Sequence, residues 1–198
     1  MKIIIIGASG TIGKHVVTAL QSEHEIIKAG SKTGDIRVDM SSVTSIKDMF
    51  EEIGAFDALI STAGNGHFGP LTTMTDADFR KTVDSKLMGQ VNLVLIGQHY
   101  INASGSFTLT SGSVAHDPVL QTASLSSINA AIDGFIRGAA IELSNSIRIN
   151  AVSPTVVAES PEYFPFFPGV IPVSMEAVTA AYVKSVLGAQ TGQTYKIW

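Results

Sequence analysis

Apolar and polar positions along this chain repeat with two periods that take turns. Residues 2–8 form an apolar, β-branched run, a Gly/Ser turn follows, and Ile12, Val16, Val17 and Leu20 then recur at helical spacing. This reads as strand, turn and helix. The alternation continues with strands over 25–30, 36–40 and 58–62 and a helix over 43–53. Thr75 and Asp78 have the spacing of a capping box, after which Phe79, Val83, Leu87, Val91, Val94 and Leu95 carry one apolar stripe to about residue 101. At about 1.5 Å per residue that helix would be roughly 40 Å long. A fifth strand is predicted over 107–111 and a helix over 124–144, with Ile128, Ile132, Phe135, Ile136 and Leu143 inward. Gly134 and Gly138 would let this helix approach a neighbour closely. A sixth strand over 147–153, a helix over 175–187 and a strand over 194–198 complete the pattern.

Strands this apolar, each followed by a helix, imply an α/β fold: one doubly wound domain with a mostly or fully parallel seven-stranded sheet covered on both faces. At 198 residues and 45% hydrophobic content, the chain suits a single domain over 1–198. Only 155–174 breaks the rhythm. There Pro161, Pro165, Pro168, Gly169 and Pro172 interleave with Tyr163, Phe164, Phe166 and Phe167, as in a loop carrying its own apolar anchors, and this segment is the candidate substrate lid.

A formal charge of -4, with acids and bases scattered, offers no field for a nucleic-acid backbone or an anionic membrane. No apolar run approaches bilayer length. Without cysteine there is neither a disulfide nor a thiolate metal site, and no His/Asp/Glu cluster has metal-ligand spacing, so no metal is expected. The opening MKIIIIGASG runs from apolar residues directly into glycines instead of a cleavable leader, which points to the cytoplasm.

The segment Gly7-Ala8-Ser9-Gly10-Thr11-Ile12-Gly13 stands where a dinucleotide would need it, after the first strand and at the start of the first helix. Small residues let the backbone approach a pyrophosphate, and the helix N-terminus offers unpaired N–H donors and the positive end of its dipole. A structural turn would also collect glycines, but in a βαβ context the reading is a Rossmann-type dinucleotide site. At the end of the second strand an acid would hold an adenosine ribose and repel a 2′-phosphate, and here Ser31 and Lys32 stand instead. They favour NADP(H) over NAD(H), unless Lys32 is an ordinary solvated loop residue.

In order and spacing these elements resemble the short-chain dehydrogenase/reductases over nearly the whole chain, and most resemble a group of short bacterial members. The turn Gly7 to Gly13 matches that family's cofactor turn. Val38-Asp39, with Met40 next, matches its adenine-contacting acid; Ser61-Thr62-Ala63-Gly64 its Asn-Asn-Ala-Gly element; and Ile147-Arg148-Ile149-Asn150-Ala151-Val152-Ser153-Pro154 its sixth-strand signature. The resemblance implies that Asp39 touches adenine, that Thr62, Ala63 and Gly64 line the ribose side, and that Pro154, Thr155 and Val156 hold the nicotinamide carboxamide.

The family's catalytic Tyr, with a Lys four residues later, is not matched. Leu125 falls at the Tyr position and Asn129 at the Lys position, and neither can carry that acid–base role. The family's Ser falls on Gly112, flanked by Ser111 and Ser113, either of which supplies a hydroxyl or is ordinary strand-end polarity. Its Asn falls on Lys86, so Lys and Asn would have exchanged helices, unless Lys86 simply points to solvent. His67, His116 and Tyr163 are the other candidate proton donors. Two functions follow from the resemblance: an NADP(H)-dependent oxidoreductase acting on a small carbonyl or alcohol with a nonstandard proton donor, or a catalytically degenerate NADP(H)-binding sensor or regulator. It also implies a homodimer or homotetramer formed through the helices over 75–101 and 124–144.

Overall fold

Ile3, Ile4, Ile5 and Ile6 are each at most 1% exposed. Strand β1 (Lys2–Ile6) is therefore apolar on both faces, which only the middle of a sheet covered on both sides permits. In this computed structural model, which describes residues 1–64 and 66–198, β1 lies between β2 (Glu25–Gly30) and β4 (Phe56–Ser61). With β3 (Ile36–Arg37), β5 (Ile101–Thr110), β6 (Arg148–Pro154) and β7 (Thr194–Ile197), the sheet runs β3-β2-β1-β4-β5-β6-β7, every pair parallel. The strand order reverses between β1 and β4, and a crevice opens beyond the carboxyl ends of strands at such a switch point.

Among the described residues six α-helices cover the two faces. Helices α1 (Gly13–Leu20) and α6 (Met175–Leu187) bury Val16, Val17, Val178 and Tyr182 against Ile3 and Ile5. The opposite face carries α2 (Val43–Ile53), α3 (Asp76–Thr82), α4 (Gly89–Gly97) and α5 (Ala123–Glu142), whose Ile128, Ile132 and Ile136 pack on the core around Ile4, Ile6 and Phe107. Among the described residues no helix is long and apolar enough to cross a membrane.

The expected capping box forms at α3. Thr75 Oγ1 accepts the Asp78 N–H at 3.2 Å, and the Asp78 carboxylate accepts the Thr75 N–H at 3.2 Å. The Thr75 and Lys81 hydrogen bonds hold the Asp78 carboxyl well below the usual carboxylate range. Thr75→Ala is expected to lower stability by about 1 kcal/mol, read from the urea midpoint at unchanged slope.

The single helix expected over 75–101 is instead three pieces. Between α3 and α4 the chain makes a π-helical turn, Val83–Met88, and α4 stops at Gly97. Residue Ile101 opens β5, which is ten residues long and begins six residues before the expected strand. Tertiary contacts override the helical period here. The Tyr100 ring stacks on Phe50 at 5.5 Å, its carbonyl accepts the Phe56 N–H, and Ile101 pairs with Phe56 across the sheet. The third strand is also shorter than expected, ending at Arg37.

Gly134 and Gly138 face away from the rest of the chain, since a Cβ on either would meet nothing within 4 Å. Segment 155–174 folds over the end of the sheet. A lone parallel bridge, Val157 to Val173, closes its base, and its 3₁₀ stretch Pro161–Phe166 sets Phe166 edge-on to Phe68 at 4.7 Å.

Candidate functional site

The turn after β1 is tied down by backbone bonds that leave its amides facing outward. Gly7, at φ +79°, donates to Ala29 O, and its own carbonyl accepts from Gly10 N–H at 2.9 Å and from the Thr62 hydroxyl at 3.2 Å. Lys14 N–H reaches Gly10 O at 3.1 Å, while the N–H groups of Thr11 and Ile12 have no acceptor among the described residues. No side chain caps α1. The positive end of that helix is thus open to an incoming anion. Gly13 lies beneath the turn, where a Cβ would come within 2.1 Å of Gly7 O. This backbone cradle, which even one methyl group would fill, fits a dinucleotide pyrophosphate.

Most of the residues expected to contact a cofactor come together in a groove of about 780 Å³. Gly7, Ser9 and Gly10 line it from the turn, Ser31 and Lys32 from the end of β2, Asp39 and Met40 from beyond β3, and Thr62, Ala63 and Gly64 from beyond β4. Thr33, not foreseen from the sequence, also lines it, and its hydroxyl donates to Ser9 Oγ at 2.8 Å, tying the two loops together. Lys32 is exposed at the rim with no ion-pair partner among the described residues. Asp39 Oδ1 accepts from Ser41 N–H at 2.9 Å and Ser41 Oγ–H at 2.6 Å, which lowers the carboxyl pKa and keeps it ionised.

A second cavity, of about 240 Å³, lies on the other side of the turn. Pro154, Thr155 and Val156 line it, together with Ile12, Ser113 and Leu125. The structure thus divides most of the expected cofactor residues between two cavities, with Ile12 in the second, while Thr11 and Gly13 line neither.

The two serines differ. Both are buried, but the Ser111 hydroxyl donates to the Asn129 carbonyl at 3.1 Å, whereas Ser113 opens a 3₁₀ turn and lines the second cavity. Between them, Gly112 lies against the Asn129 amide, where a Cβ would be 2.8 Å from Nδ2 and that side chain would have to shift. Asn129 is 3% exposed, and its Oδ1 is buried with no partner among the described residues.

Lys86 does not point to solvent. It sits in the π-helical turn, 9% exposed, with its stem against Gly64, where a Cβ would lie 3.0 Å from Lys86 Cγ. No carboxylate or carbonyl pairs with its ammonium among the described residues, and burial lowers its pKa from 10.5 to about 8. Gln90, another residue the sequence did not single out, anchors this turn to β5. Its Nε2 donates to Lys86 O at 3.1 Å and Thr110 O at 3.0 Å, and its Oε1 accepts Thr110 N–H at 2.7 Å.

The other candidate donors are placed differently. The His67 ring lies 4.0 Å from Asp78, away from both cavities. His116 Nε2 is 3.2 Å from the buried Asp133, which also accepts from the Thr194 hydroxyl. Tyr163 lines the second cavity from the 3₁₀ stretch. None of the four tyrosines, 100, 163, 182 and 195, has a lysine four residues on.

A model of the family described as enoyl-(acyl carrier protein) reductase matches residues 5–165. The short chain dehydrogenase/reductase AacuN of Aspergillus aculeatus is 30% identical over 136 residues, covering 66% of this chain and 52% of that protein. The hydroxynaphthalene reductase-like protein Arp2 of Metarhizium anisopliae is 25% identical over the same length, covering 66% and 51%. The chain spans about half the length of these curated relatives. The crystal structure of protein lin1944 from Listeria innocua matches with a TM-score of 0.99 at 47% identity, covering 100% of both chains. A small-chain dehydrogenase in complex with NADPH matches with a TM-score of 0.88 at 28% identity, covering 100% of this chain and 96% of that one. With the parallel sheet, the glycine cradle and a family match over most of its length, the chain belongs to the short-chain dehydrogenase/reductase family.

Proposed function

We propose that this protein is an NADP(H)-dependent oxidoreductase acting on a small carbonyl or alcohol, with a proton donor other than the family's tyrosine. The observation that carries this reading is the groove that Gly7, Ser9 and Gly10 of the glycine turn line together with Ser31, Lys32 and Thr33, next in sequence to the open N–H groups of Thr11 and Ile12. Thr11 and Ile12 would donate to the pyrophosphate, and Ser31, Lys32 and Thr33 would surround a 2′-phosphate with hydroxyls and an ammonium. Once bound, the nicotinamide supplies or accepts a hydride; orienting it is the task of Pro154, Thr155 and Val156. Ser113 offers a hydroxyl to the reacting oxygen. Lys86, with a pKa of about 8, has an amine able to hold or release a proton near neutral pH. The NADPH complex of the 28%-identical dehydrogenase supports the choice of the phosphorylated cofactor.

The test is fluorescence titration with NADPH and NADH, followed by absorbance of NADPH with a panel of aldehydes, ketones and quinones. NADPH is expected to bind more tightly, and Lys32→Glu to reverse that order by at least tenfold, or about 1.4 kcal/mol. Equal binding of both nucleotides by the unaltered chain would rule out the assigned role of Lys32.

A second reading, a cofactor-binding sensor without turnover, draws on one observation. Leu125 at the cavity and the buried Asn129 behind Gly112 carry groups that cannot titrate. NADPH binding with no substrate-dependent consumption across the panel would favour it over the enzyme.

A further inference from the structure

The second cavity is walled by Phe68, Val114, Leu125, Val156, Tyr163 and Phe167, and among the described residues no charged side chain lines it. These walls come from distant parts of the chain: the loop after β4, α5, and the 3₁₀ stretch that Phe166 fastens edge-on to Phe68. The polar side chains are uncharged hydroxyls, those of Ser113, Thr122, Thr155, Ser160 and Tyr163. Thr122 uses its hydroxyl on Val119 O at 2.6 Å, while the Ser113 hydroxyl makes no hydrogen bond among the described residues. Beyond Ser113, Thr155 and Phe167 lies a further cavity of about 350 Å³, and the one charged residue lining it is an acid, Asp117.

A carboxylate or phosphate entering this space would lose its hydration without meeting a cation, and Asp117 would add like charge. An uncharged apolar molecule would gain from leaving water. The cavity is also smaller than the roughly 300–1,000 Å³ typical of sites for drug-sized ligands. We infer that, given the oxidoreductase reading above, the substrate is an uncharged, predominantly apolar carbonyl compound or alcohol of about one ring. Its oxygen meets Ser113 and its apolar body lies against Phe68, Leu125 and Phe167. Leu125 sets this selectivity: it holds an apolar wall where a charged or hydrogen-bonding side chain on the same face of α5 would admit polar ligands.

Three ring compounds of similar shape test this: benzyl alcohol, 4-(hydroxymethyl)benzamide and 4-(hydroxymethyl)benzoate. Their binding is followed by ligand-observed NMR on the protein alone and again with NADPH, so selectivity is read whether or not the cofactor binds or turns over. The order expected is benzyl alcohol first, the amide next and the carboxylate at least tenfold weaker than benzyl alcohol. Leu125→Arg and, independently, Phe167→Arg are expected to raise carboxylate affinity at least tenfold and to weaken benzyl alcohol. Equal or tighter binding of the carboxylate by the unaltered chain, or no saturable binding of benzyl alcohol, would overturn the assignment. Absence of NADPH binding, with the probe order intact, would instead overturn the cofactor reading and leave the cavity's preference standing.

Discussion

Gly13→Ala is expected to weaken NADPH binding at least a hundredfold, about 2.8 kcal/mol, and to lower stability by about 1–3 kcal/mol. The added Cβ would lie 2.1 Å from Gly7 O and 2.9 Å from the Ala8 Cα. Both are backbone atoms, so no rotamer change can relieve the clash. Gly7 O is also the acceptor for Gly10 N–H and the Thr62 hydroxyl, and pushing it aside loosens both bonds and re-aims the amides of Thr11 and Ile12. Gly134→Ala is the control, because a Cβ there meets nothing within 4 Å; its cofactor affinity should equal that of the unaltered chain. Fluorescence titration with NADPH and urea melts of both variants measure the effects. Unaltered NADPH affinity in Gly13→Ala would show that the turn does not cradle the cofactor.

What the sequence revealed and what it concealed follow from the range of the interactions involved. The run at Ile3 to Ile6, the glycine turn and the Thr75–Asp78 box are set by neighbours in the chain, and each lies where its pattern placed it. The helix expected over 75–101 ends early because Tyr100 and Ile101 obey partners about fifty residues away, Phe50 and Phe56. The π-helical turn had no periodic signature, since Val83 and Leu87 keep a helical spacing through it. Ser111 and Ser113 looked alike in sequence, and only the Asn129 carbonyl distinguishes them. Gln90 and Thr33 act through contacts twenty or more residues distant, and their local patterns are those of any helix or loop residue. Tyr182 is similar: wholly buried, it shares a 2.6 Å hydrogen bond with Thr110, and burial raises its phenol pKa.

Lys86→Met is expected to stabilise the protein at neutral pH and to impair it as an enzyme. The lysine is charged when the chain is unfolded, and burial with no partner draws its folded pKa from 10.5 to about 8. Below pH 8 both states carry the proton, and the folded state bears the full cost of a desolvated cation, about 3 kcal/mol. Between about 8 and 10.5 the folded chain releases its proton first, so the unfolded chain binds more protons and stability rises with pH. Methionine has a similar reach and no charge. The variant should therefore exceed the unaltered protein by about 3 kcal/mol near pH 7, with the difference shrinking toward zero by about pH 10.5. Other groups that ionise toward the top of this range, the Tyr182 phenol of the unfolded chain among them, are common to both proteins and cancel in the difference. Urea melts of the pair across that range measure it; a stability difference that does not vary with pH would mean that Lys86 is not a desolvated amine. Retaining a residue at such cost is understandable if the amine works, and the same variant should bind NADPH at least tenfold more weakly and lose its turnover. Full turnover in Lys86→Met would remove Lys86 from the chemistry and leave the proton donor to be sought among the hydroxyls that line the second cavity, Ser113 and Tyr163 among them.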